Sequence, residues 1–130
     1  MKVLTIKEPF ATLIKNKVKY IETRSWKTNY RGELYIQAGV AKIRKEVKER
    51  KGLSELYNED ELNYGNIICK CNLVDCIYMT EEFIKKEKEN NINNFIAGYY
   101  EVGRYALVLE DVESITPIKV KGQLGIWNYK

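Results

Sequence analysis

Residues 66–78, NIICKCNLVDCIY, form the longest β-prone run in the chain. Strands commonly span about five or six residues, so a run of this length implies one bent strand or two paired segments. Either needs a sheet to belong to. Alternation sets Cys69, Cys71 and Leu73 on one face and Cys76 on the other. The chain has 3 cysteines. An odd number, with no signal-peptide pattern in MKVLTIKEPF, argues against a disulfide framework. There is no histidine and no second cysteine cluster to complete a tetrahedral metal site. No metal or cofactor is expected, and the thiols are read as small buried hydrophobes. The lack of histidine also removes the usual general base at neutral pH.

Shorter elements surround that run. Strands are predicted at 3–6, 33–38, 105–112 and, after Pro117, at 118–120. Helices are predicted at 9–16, 41–51 and 80–90, the last capped by Thr80. Residues 54–63 read as a short helix or surface loop, and 90–94 as a polar break. Trp127 and Tyr129 are expected to close the sheet against the first strand. Short strands with helices between them, in mixed order, give an α+β class and a small, curved, mainly antiparallel sheet or open barrel. With 130 residues, one domain over 1–130 is expected. Apolar residues at 45% and charged residues at 31% are a globular balance. No apolar run approaches a membrane span, so a cytoplasmic protein is expected.

Charge is unevenly spread. Residues 1–52 hold 14 Lys and Arg against 5 Glu, or +9, and residues 53–130 hold 8 against 13 acids, or −5. The basic half favours an anionic partner such as nucleic acid, though the same pattern describes a lysine-rich solvated surface. Within it, 17–32 (KVKYIETRSWKTNYRG) joins Lys17, Lys19, Arg24, Lys27 and Arg31 to one carboxylate, Glu22, and to Tyr20, Trp26 and Tyr30. Cations beside flat aromatics are what holding a phosphate and stacking a base require. If 19–24 is extended, Glu22 and Arg24 share one face and Thr23 takes the other. Lys19 joins them only if the strand begins after it. The plainer reading makes Lys19, Glu22 and Arg24 a buried ion-pair network and packs Trp26 on the barrel.

Six segments in order resemble the ASCH (activating-signal-cointegrator homology) domain: LTIKEPFATLI, KYIETRSW, YRGELYIQA, GNIICKCNLVDC, GRYALVLEDV and PIKVKGQLGIW. The resemblance runs from about Leu4 to Trp127. It implies a PUA-like small mixed β-barrel with flanking helices, related to RNA-binding modules. It also implies a cleft beside the first helix, lined by a Gly-x-Lys-x-x-Glu-x-Arg motif. Lys19, Glu22 and Arg24 match that motif. Lys17 stands at its glycine, where a positive φ would cost a lysine more, and it adds a cation at the mouth of the cleft. Gln37 stands where the family often has histidine; it can hydrogen-bond but cannot titrate.

The leading expectation is a nucleic-acid-binding module, RNA preferred, or a site for a nucleotide-like ligand. Lys17, Lys19, Lys27 and Arg31 would meet phosphates, Trp26 or Tyr30 would stack a base, and Gln37 would hydrogen-bond. Arg24, fixed by Glu22, would present its fork. The alternative is a small hydrolase of modified nucleosides or RNA. One branch of ASCH-like proteins hydrolyses acetylated cytidine with a Thr, a Lys and a Glu. Lys19 matches that lysine, but Glu22 occupies the threonine position and no residue matches the separate glutamate. Catalytic residues stay open; if there is catalysis, Lys19, Glu22 and Tyr105 are the candidates. A third reading is a protein-interaction module using the acidic segment 55–61 or the exposed helices.

Overall fold

The computed structural model describes all 130 residues, Met1–Lys130. In chain order the elements are β1 (Lys2–Ile6), α1 (Phe10–Lys15), β2 (Ile21–Arg24), β3 (Gly32–Ala38), α2 (Lys45–Lys48), β4 (Asn66–Tyr78), α3 (Glu81–Asn90), α4 (Ile92–Ile96), β5 (Tyr105–Lys119) and β6 (Ile126–Asn128). Single 3-10 turns lie at Ser54–Leu56 and Glu59–Glu61. The strands form one sheet in the order β2-β5-β4-β3-β1-β6. Only β1 and β3 run parallel; the other neighbours are antiparallel. This is the α+β class expected, a small mixed half-barrel with flanking helices.

The long run 66–78 is one bent strand. Its pairing with β5 shifts register after Ile67, after Lys70 and after Leu73. Each such irregularity adds bend and twist, and together they curl the sheet. The same irregularity explains β5, which continues through Pro117 where two segments were expected. Cys69 pairs with Ser114 and Ile67 with Ile118, so three residues of β5 lie opposite Ile68. Pro117 falls in that interval, where its missing N–H costs no ladder bond.

The concave face is the core. Leu4, Leu34, Ile36, Cys69, Cys71, Leu73 and Leu107 pack there against Phe10, Ala11, Leu13 and Ile14 of α1. A smaller cluster of Val3, Ile67 and Trp127 lies beside β6. A third, Ile21, Met79 and Ala106, is covered by Phe83 and Ile84 of α3.

Two segments differ from the sequence expectation. Only Lys45–Lys48 of 41–51 is α-helical. Val47 is the one buried side chain in that helix, too little apolar surface to hold several turns. The polar break at 90–94 instead contains most of α4. Asn94 is buried, and its Oδ1 accepts from the backbone N–H groups of Tyr20 (2.9 Å) and Ile21 (3.2 Å). A polar residue thus blocks the free edge of β2, a role no apolar periodicity announces. No helix is long and apolar enough to cross a membrane.

Candidate functional site

The site begins at the end of α1. Lys17 takes φ +64°, the left-handed geometry foreseen for the glycine position it occupies. The turn it makes donates Lys17 N–H to Ile14 O and both Val18 and Lys19 N–H to Leu13 O, at 3.0–3.1 Å. The chain reverses, and Lys19 arrives before β2 begins. Its side chain is 1% exposed. Nζ donates to Ile21 O and Ala97 O, both at 2.6 Å, and meets Glu22 Oε1 at 3.3 Å. Three protons have three acceptors, which is what a buried ammonium needs. Burial lowers the Lys19 pKa from the ordinary lysine value; Glu22 opposes that shift, and Arg24 and Arg50 add to it.

Glu22 uses its other oxygen on Arg24. Arg24 Nε donates to Glu22 Oε2 at 3.0 Å and Nη2 approaches the same oxygen at 2.9 Å. Nη2 also donates to Thr5 O at 3.0 Å. Successive strand carbonyls point to opposite edges. Ile6 O faces β3, accepting from Gly39 N–H, so Thr5 O faces the β6 side. There β6 has already ended, since its last pair is Ile126 with Leu4. Arg24 therefore bridges the two unclosed margins of the half-barrel. Its remaining nitrogen, Nη1, has no partner within the chain, and the side chain is 22% exposed.

A cavity of about 630 Å³ opens at this gap. Its walls come from the β1–α1 junction, β2, the 41–47 segment, the α4–β5 loop and the β5–β6 loop. Besides Lys19 and Arg24 it is lined by Lys7, Lys42, Arg44 and Arg104, against the carboxylates Glu8 and Glu22. Both carboxylates are occupied. Glu8 accepts from Thr12 N–H (2.8 Å), from the Thr12 hydroxyl and from Asn63 N–H (2.9 Å). Phe10, Ile43 and Val47 supply apolar wall. Thr23, expected to face away, also lines the cavity. The reason is the α4–β5 loop, which wraps the far side of β2. Thr23 Oγ1 accepts from Tyr99 N–H at 3.1 Å, and Arg104 Nη2 donates to Thr23 O at 3.2 Å.

The other sequence candidates lie outside the cavity lining. Lys17, Lys27 and Arg31 are exposed. Arg31 donates to Thr28 O and Tyr30 O and sits 3.9 Å from Asp75. Trp26 is half-buried with the Arg24 guanidinium 5.8 Å from its ring centroid. The Tyr30 hydroxyl donates to Glu33 O. Gln37 is buried, accepting from the Thr5 hydroxyl at 2.7 Å and donating to Val120 O at 2.8 Å. Tyr105 stands edge-on to Tyr78 and does not line the cavity with Lys19 and Glu22. Sequence reasoning missed Lys7, Lys42, Arg44, Arg104 and Tyr99. Three of those cations lie in the basic first 52 residues, the one signal that touched them.

Comparison with known families matches the ASCH domain model to residues 4–119. The chain belongs to the ASCH domain family. A comparison with curated proteins found no match. Among solved structures, this ASCH domain is similar to a mutant form of ZmASCH from Zymomonas mobilis. The TM-score is 0.55 at 15% identity, covering 92% of this chain and 75% of that one. At that identity the likeness concerns the fold, which is PUA-like, as the sequence resemblance implied. The matched region of the ASCH domain contains Lys19, Glu22 and Arg24 together with every wall of the cavity except the β5–β6 loop.

Proposed function

We propose that this ASCH domain binds single-stranded RNA, taking one nucleotide unit into the cavity beside Arg24. The observation that carries the reading is Arg24 itself. Glu22 and Thr5 O hold its fork in place, and Nη1 is left over at a partly exposed position. A pre-oriented guanidinium with a spare donor suits a phosphate or a base edge. Lys7, Lys42, Arg44 and Arg104 around it give the phosphate-binding charge that sequence-independent affinity needs. The volume lies within the usual range for small-ligand sites, about 300–1,000 Å³. Lys19 has a supporting role: with all three protons engaged, it fixes Glu22 rather than meeting the ligand.

Fluorescence anisotropy of a labelled short single-stranded RNA tests this. Binding is expected at low salt, with log K falling against log[salt] with a slope of about −2 to −3 if three or four phosphates are contacted. Arg24→Met is expected to weaken it about tenfold, the loss of one charge-assisted contact. No binding at low salt contradicts the proposal, as does an Arg24→Met variant that binds like the wild type.

A further inference from the structure

Two aromatic residues line the cavity, Phe10 and Tyr99. Phe10 is buried; Tyr99 is 50% exposed. We infer that Tyr99 is the platform on which the bound base stacks. This rests on the RNA-binding reading above and names the contact that would read the base rather than the phosphate.

The loop carrying Tyr99 is held on every side. Arg50 Nη1 donates to Ile96 O (2.9 Å) and Gly98 O (3.2 Å). Lys19 donates to Ala97 O, and Arg104 Nε to Tyr99 O at 3.1 Å. Thr23 Oγ1 accepts from Tyr99 N–H. Three cations from three parts of the chain therefore converge on the carbonyls of 96–99, at and just after the end of α4, where the helix end is negative. The ring is fixed as well. The Arg50 guanidinium lies 4.3 Å from the Tyr99 centroid, and Phe10 meets the ring edge-on at 6.3 Å. Arg50 is not part of the cavity wall, whereas Tyr99 is. The guanidinium packs on the ring, which stays half exposed in the cavity wall. The Tyr99 hydroxyl makes no hydrogen bond within the chain, so stacking alone orients the ring. A rigid aromatic with a free surface loses little entropy on binding and accepts any base.

Trp26 and Tyr30 lack these features. Neither lines the cavity, Trp26 is half-buried beside Arg24, and the Tyr30 hydroxyl is tied to Glu33 O.

The test compares Tyr99→Leu, Tyr99→Phe and Trp26→Leu for binding of a short single-stranded RNA and of an abasic oligomer of the same length. Circular dichroism confirms the fold of each. Tyr99→Leu is expected to lose about tenfold or more toward RNA and nothing toward the abasic oligomer. Tyr99→Phe is expected to bind both like the wild type. Equal loss on both ligands would mean a charge or folding effect and would overturn the inference, as would an unchanged Tyr99→Leu or a loss confined to Trp26→Leu. A wild type that binds RNA while Tyr99→Leu is neutral sinks only the stacking role. A wild type that binds neither ligand sinks the RNA reading and this inference with it.

Discussion

Replacing Lys19 by methionine keeps the stem and removes the ammonium. Glu22 Oε1 and the carbonyl of Ala97 would then face the interior without a donor. Breaking a buried, hydrogen-bonded pair by removing one partner costs about 3–5 kcal/mol, so Lys19→Met is expected to lower the urea unfolding free energy by that order. Unchanged stability would show the amine to be dispensable. Lys19→Arg is not expected to rescue it, because a planar fork cannot reproduce three donors radiating from one nitrogen. The motif made Lys19, Glu22 and Arg24 legible, because their contact is local and follows from a turn and two strand positions. The Ala97 carbonyl that completes the lysine shell lies 78 residues away, and nothing near Lys19 in the chain announces it.

The α4–β5 loop is the element on which the site depends. Gly98 lets it lie against β2: a Cβ there would stand 2.8 Å from Tyr100 Cε1 and 3.2 Å from Thr23 Cγ2. Tyr100 has little freedom to yield, being stacked on Phe95 and Phe83 with its hydroxyl accepting from Asn94. Gly98→Ala is therefore expected to cost about 1–3 kcal/mol of overpacking strain, read as a lower thermal midpoint, and to weaken RNA binding by shifting Tyr99. A variant as stable as the wild type would show that the loop has room. The sequence revealed β4 and its cysteine faces through simple alternation. It concealed α4, whose fixing residue is an asparagine, and it concealed the loop, whose bonds come from Arg50, Lys19, Arg104 and Thr23. Hydrophobic period reports burial of apolar faces and is silent where polar side chains hold backbone.

Across the whole molecule, two buried thiols and the half-buried Tyr100 hydroxyl resist losing their protons. Burial pushes Cys69 and Cys71 up to about 12 and raises the Tyr100 hydroxyl further above its ordinary value. In the unfolded chain the thiols ionise from about pH 9 and the phenol from about pH 10. Between pH 9 and the folded values the unfolded state binds fewer protons, so stability falls as pH rises. The expected slope is about 1.4 kcal/mol per pH unit for each group fully ionised in the unfolded chain only. Urea unfolding from pH 7 to 11 checks this; Cys69→Ala with Cys71→Ala should flatten the decline, and a decline that is unaltered would contradict it. At this scale the fold class and the basic half were readable. The placement of the charge was not, since Lys7, Lys42, Arg44 and Arg104 meet only when the half-barrel brings separate segments to its open margin. The most direct measurement of the central claim is backbone amide chemical-shift mapping on titration with a short single-stranded RNA at low salt. The predicted perturbations gather in segments 5–10, 22–24, 41–47, 97–104 and 123–125, around the cavity. Perturbations confined to 26–31, away from the cavity wall, or none at all, would contradict it.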